Sequence, residues 1–258
     1  MKKLFKRLLN NKGLTLTELI VALFLTSVIL AIAVGMLTPV KDLMNTMKSN
    51  AHMDTISSTV DEYVRGTLQA ATSLKFVQLN NRNEVANEDR NSVMDFCTPA
   101  NKAKAIAILN TNSDSTGAPI YRLFDLGDLA QDWTLLNKHL GYACSGLLAD
   151  AAAVKKYAAF NEPFYGGESI SCAVEFYSNG TFLQVASQCF KDNGKKDDDD
   201  NPIMDMINQK HVLNFMLLNS AVPTDAGGEE TFSDPDTQTE IEGHCYLILY
   251  TLYDWDSL

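Results

Sequence analysis

One carboxylate, Glu18, stands at the head of an apolar run, and residues 19–37 after it carry no charged side chain. Burying a carboxylate at the lip of a hydrocarbon phase costs on the order of ~2.5–3.5 kcal/mol, so such a group calls for a partner and a function. Two kinds of partner suit it chemically: the free amides at the start of its own helix, or a cation brought by another chain. The remaining reactive groups are sparse. Cys97, Cys144, Cys172, Cys189 and Cys245 show no CxxC spacing, and the four histidines are scattered, so the sequence supports no zinc set. Within the charge run 191–201, Asp197 and Asp199 are weak candidates for calcium ligands. Lys195 and Lys196 interrupt that run and no glutamate closes it, so a solvated loop competes with an ion site. There is no nucleophile elbow, Walker loop, HExxH or dinucleotide fingerprint. No enzyme activity and no cofactor are expected.

The elements that position these groups begin with a membrane-length helix. A bilayer core about 30 Å thick is crossed by ~20 apolar helical residues, and 19–37 supply that length. Ahead of them lie Lys2, Lys3, Lys6, Arg7 and Lys12, with no acidic residue before Gly13. The formal net charge is −11, so the chain after Gly13 carries −16. A basic tip before an apolar run places the N-terminus on the cytoplasmic side and everything after residue 37 outside. An acidic body argues against direct nucleic-acid binding. All five cysteines then lie where disulfides form, and their odd number leaves at least one thiol free or paired between chains.

Gly13 precedes the apolar run, whereas a secretory signal peptide places its small cleavage-site residue after one. Basic residues, Gly13, the apolar Leu14 and Glu18 at the fifth position beyond the glycine resemble the prepilin leader of type IV pilins and pseudopilins. The resemblance covers roughly the first 30 residues and does not reach the head. It implies cleavage after Gly13 by a prepilin peptidase and N-methylation of Leu14 by the same enzyme class, with S-adenosylmethionine as that enzyme's cosubstrate. It also implies an assembly role for Glu18, neutralising the new amine of a neighbouring subunit. The partners it implies are other pilin-like subunits, the peptidase, an assembly ATPase with its membrane platform protein, and the cytoplasmic membrane.

The expected fold is α+β: a leader over 1–13, a membrane or filament-core half of a long helix over 14–40, an amphipathic half over 41–75, and a globular head over 76–258. Leu43, Met47, Ile56, Val60, Val64 and Leu68 recur at helical spacing. Asp54, Asp61, Glu62 and Arg65 fall mostly on the other face. The helix would extend ~90 Å to about residue 74, loosened across Gly35 to Pro39. The asparagine-rich stretch 80–91 reads as an exposed loop. Strands are expected at 103–109, 120–126, 212–218 and 245–253, the last central in its sheet, and helices at 129–140 and 145–160. Residues 170–190 read as a hairpin about the turn Asn179-Gly180. Pairing Ser178 with Thr181 sets Cys172 opposite Ser187 and Cys189 opposite Ile170. That diagonal spacing of ~7–8 Å is too long for an unstrained bridge. Two buried thiols, or one of them bridged to Cys144 or Cys245 across the core, are the alternatives.

The function expected is a filament subunit serving adhesion, motility, secretion or DNA uptake, stored in the membrane and then moved to a surface filament or pseudopilus. The rival is an extracellular binding or enzymatic domain that uses the leader only as an anchor. A head pocket with converging polar groups would favour that rival.

Overall fold

The structure, a computed structural model, describes residues 15–80, 82–98, 101–112, 118–129, 144–167, 170–178, 182–197, 202–220 and 243–253. The chain divides into two compact units, Met1–Ser49 and Asn50–Leu258. The fold is α+β, with a long N-terminal helix and antiparallel sheets.

Helix α1 spans Leu16–Leu68, 53 residues, or about 80 Å. In the first unit its side chains are exposed; residues 19–37 are apolar on nearly every side, and Leu43, Met44 and Met47 continue the apolar surface among Lys41, Asp42 and Asn45. This helix is long and apolar enough to cross a membrane, by length and composition. Pro39 lies inside it. Proline cannot donate to the carbonyl four residues back, and the helix continues on both sides of Gly35 and Pro39.

In the second unit α1 buries one stripe: Met53, Ile56, Ser57, Val60, Asp61, Val64 and Leu68. The three- and four-residue steps are those of one helix face. The helix ends at Leu68 rather than near residue 74, because β1 (Ala71–Leu79) takes over. Its burial alternates in part, as a strand with one face inward requires.

Beyond β1 come α2 (Arg90–Phe96), β2 (Lys104–Asn110), β3 (Tyr121–Asp128), α3 (Ser145–Leu148), α4 (Ala151–Tyr157) and α5 (Glu162–Tyr165). Then follow β4 (Ile170–Ser178), β5 (Leu183–Lys196), β6 (Pro202–Met206), β7 (His211–Phe215) and β8 (Cys245–Leu252). One sheet has the order β1-β8-β2-β3; the other has β4-β5-β6, with β7 also on β5. β8 is central, as its nearly continuous apolar run predicts, and pairs antiparallel with β1 and β2.

The expected helix over 145–160 is instead two short ones, α3 and α4, with α5 following at Glu162–Tyr165. Asp150 caps α4 through Ala152 N–H, and Asn161 caps α5 through Phe164 N–H. Short polar side chains of this kind start helices rather than continue them. The helix expected at 129–140 lies, beyond Leu129, outside the described residues.

The second hairpin differs in register. Ser178 pairs with Leu183, so four residues connect the strands, and Cys172 stands directly opposite Cys189. The shift is two residues, so the same side chains keep the same face. The charge run is also not wholly a loop. Lys191 to Lys196 extend β5, with Lys191 opposite Asp205 and Asp192 opposite Met204. The pairing with β4 ends at Lys191, so beyond it β5 is paired by β6 alone and its charged side chains stay in solvent.

Cross-links tie these parts together. Arg122 is buried, donates to both Glu162 carboxylate oxygens at 3.1 and 3.0 Å, and lies 4.3 Å over the Tyr165 ring. Tyr63 Oη donates to Asp125 at 2.6 Å, joining α1 to β3. Asn83, buried with φ 59°, exchanges two 2.8 Å hydrogen bonds with the Asn110 backbone in the manner of an extra strand residue.

The burial contrast along α1 makes a stability prediction. Ile56→Ala should lower unfolding stability by about 2–5 kcal/mol. Met47→Ala should change it by less than about 0.5 kcal/mol. Denaturant unfolding of the detergent-solubilised chain checks both; equal effects would contradict the contrast.

Candidate functional site

Thr15 and Glu18 form a reciprocal cap at the start of α1. Thr15 N–H and Thr15 Oγ1 donate to Glu18 Oε2 at 2.9 and 3.0 Å. Glu18 N–H donates back to Thr15 Oγ1 at 3.3 Å. Threonine three residues before glutamate is the capping-box spacing, which satisfies amides a helix start leaves open. Both Thr15 donors share one oxygen. Among the described residues Glu18 Oε1 accepts no hydrogen bond, so the carboxylate retains acceptor capacity beside the cap. Of the alternatives for Glu18, its own helix start is the partner found within one chain. Gly13 and Leu14 lie outside the described residues.

A second polar group is buried in the head. Asp61 is fully buried on the inner stripe of α1, not on the solvent face where its charge suggests. His211 Nδ1 of β7 lies 2.5 Å from Asp61 Oδ2. Beside it Ser187 Oγ donates to Ser57 O at 3.1 Å, and Asn208 Nδ2 to Ser57 Oγ at 3.0 Å. Ser57, Asp61 and Val64 share helical spacing, the one signal that could have placed Asp61 inward. Burial pushes the Asp61 carboxyl up to about 6, opposed by the His211 hydrogen bond. The same bond raises the half-exposed His211 imidazole above its ordinary value.

A third group anchors β8. Glu175 accepts from Gly243 N–H at 3.2 Å and from Tyr177 Oη, with His244 Nδ1 3.6 Å away. Burial works against this carboxylate's charge, but bonds from His244, Tyr177 and Gly243 together hold it below the ordinary range. Gly243 has φ 75°, and a Cβ there would meet the Tyr121 ring at 2.7 Å and Ala173 at 2.8 Å, so only glycine fits.

The other candidates do not assemble. Asp197 is exposed and Asp199 lies outside the described residues. Among the described residues no group of three metal-ligating side chains converges. Cys97, Cys144, Cys172, Cys189 and Cys245 are all buried thiols. An open surface pocket of about 490 Å³ is lined in part by Arg82, Glu84 and His244.

The capped helix start and the exposed apolar surface behind it coincide with the match to known proteins. Residues 8–34 match the family model described as the prokaryotic N-terminal methylation motif. The chain carries a type IV pilin-like leader. That motif supports a type IV pilin-like or pseudopilin protein, processed by a prepilin peptidase and assembled with other pilin-like subunits. It suggests a structural filament subunit rather than an enzyme, and with α1 it is consistent with a single-pass membrane anchor. No curated protein and no solved structure matches the chain significantly.

The Asp61–His211 pair sets a pH dependence. The folded Asp61 pKa lies above the ordinary 3.8, so its contribution to stability is complete below about pH 4 and falls as pH rises to about 6. The folded His211 pKa also lies above its ordinary value. Its contribution is complete below pH ~6.5 and is lost as pH rises through the folded pKa. The wild-type melting midpoint should therefore decline from pH 4 to 8 more steeply than that of Asp61→Asn. Parallel curves for the two proteins would contradict the assignment.

Proposed function

We propose that this chain is a subunit of a type IV pilus-like filament or pseudopilus, assembled through the apolar half of α1. The observation that carries this reading is the continuous exposed apolar helix surface headed by Glu18, lying where the methylation motif matches. Residues 1–13 are a leader removed by cleavage after Gly13, and the amine of Leu14 is methylated. Residues 14–40 hold the subunit in the cytoplasmic membrane, with the N-terminus inside and the head outside. Residues 41–75 join this segment to the head at 76–258. An assembly ATPase and membrane platform protein then move the subunit into a filament serving adhesion, motility, secretion or DNA uptake.

Cleavage gives the apolar segment a problem that Glu18 solves. The new amine at Leu14 is cationic and must enter a filament core made of other subunits' helices. A carboxylate four residues along an axially displaced neighbour neutralises it. A buried charge that loses its partner costs about 3–5 kcal/mol, so the pair selects one axial register. The capping box leaves Glu18 Oε1 for that contact.

Glu18→Gln separates the two roles, because glutamine serves in a capping box but carries no charge. The variant should be processed normally, while its incorporation into filaments falls by about a hundredfold or more. Comparing sheared filament and membrane fractions by immunoblot reads this. Wild-type incorporation of Glu18→Gln would leave Glu18 as a helix cap only.

A further inference from the structure

Cys172 of β4 and Cys189 of β5 stand directly opposite each other in an antiparallel ladder. Such opposed pairs alternate between two kinds. In one the backbones exchange hydrogen bonds and the α-carbons lie ~5.5 Å apart; in the other they do not, and the spacing is ~4.5 Å. The backbone of Cys189 decides which kind this is. Its N–H donates to Asn208 Oδ1 at 2.8 Å, and its C=O accepts from Ile207 N–H at 3.0 Å. Ile207 and Asn208 follow β6, which pairs with β5 on the edge away from β4. Both backbone groups of Cys189 therefore turn from Cys172. The pair is of the non-hydrogen-bonded kind, with its side chains on one face at the closer spacing. An α-carbon separation of ~4.5 Å falls inside the disulfide window of 4.4–6.8 Å.

We propose that Cys172 and Cys189 form a cross-strand disulfide in the exported head. The bond closes beneath α1, where Cys189 Sγ lies 3.6 Å from Ser57 Oγ and 3.8 Å from Met53 O. Both residues are buried, so the bond forms before α1 packs over the hairpin or during a local opening. Each thiol gives up one proton and one electron as the S–S bond forms. The electron pair and both protons pass to the disulfide of a thiol oxidoreductase, which becomes a dithiol. Interaction with the facing thiol, together with burial, raises Cys172, while the same interaction lowers Cys189 against the effect of burial. This bond would leave Cys97, Cys144 and Cys245 outside the pair, and it replaces the bridge across the core that the sequence alone allows.

Formation in the cell rests on the outside placement of the head proposed above, and the test separates the two claims. Full-length chain extracted from cells is alkylated under denaturing conditions, digested without reductant and mapped by mass spectrometry. Protease added to intact spheroplasts reports independently whether the head is outside. A peptide linking Cys172 to Cys189, lost in Cys172→Ser, is the expected result. Reduction should also lower the melting midpoint of wild type by about 5–10 °C, and that of Cys172→Ser much less. Alkylated thiols at both positions in a protease-accessible head, or a link from either to Cys144 or Cys245, would overturn the proposal. If the head is inaccessible, the export reading fails instead. Folded purified chain equilibrated with glutathione and its disulfide then decides the pairing: the link formed supports it, and its absence overturns it.

Discussion

Between Met53 and Leu68, helix α1 turns a single stripe of side chains into the head, and much of the second unit is arranged to cover that stripe. Val60, Val64 and Leu68 belong to the continuous core that includes β8, β2, β4 and β5. Seven buried positions on one helix set where the sheets must lie. Arg122 then pins α5, Tyr63 reaches β3, and Glu175 holds the approach to β8. The stripe is not wholly apolar. Ser57 and Asp61 place a polar seam inside it, answered by Ser187, Asn208 and His211. A buried polar seam whose members find partners fixes one helix position against the strands more closely than apolar contact does.

The same helix begins under a different constraint. Its first half has no preferred apolar side, so its side chains need a surrounding hydrocarbon phase or other helices all round. The proposed route gives it both in turn, membrane first and filament core later. Glu18 is suited to that change because its cap occupies one oxygen of two. A group satisfied by its own helix start can wait in the membrane and still take a cation when a neighbour supplies one.

Much of this was legible in the sequence where one local rule acts alone. The run at residues 245–250 is apolar enough that only a central strand suits it, and β8 is central. The leader was legible because Gly13, Leu14 and Glu18 combine order, spacing and charge in a few residues. Where two rules compete, the sequence misleads. Leu68, Ala71 and Leu74 keep helical steps, which alone would continue the helix, but Ala71 to Leu79 pairs as a strand with β8. Asp61 carries a charge that suggests the solvent face, although its spacing from Ser57 and Val64 puts it inward with His211. Asn179-Gly180 favours a two-residue turn, yet the register observed needs a four-residue connection and brings Cys172 to Cys189. Asn83 sits in a polar run that reads as a loop, and its amide instead pairs with the Asn110 backbone. The end of α1, Asp61 and Asn83 each depend on a partner distant in the chain, which no local pattern encodes.

On the proposed function, the protein loses its basic tip and enters an assembly by its apolar helix. The most direct measurement is the intact mass and N-terminal sequence of the protein extracted from membranes of a host with an active prepilin peptidase. The expected result is a chain beginning at Leu14, heavier by one methyl group on its amine. A chain that still begins at Met1 in that host would contradict it.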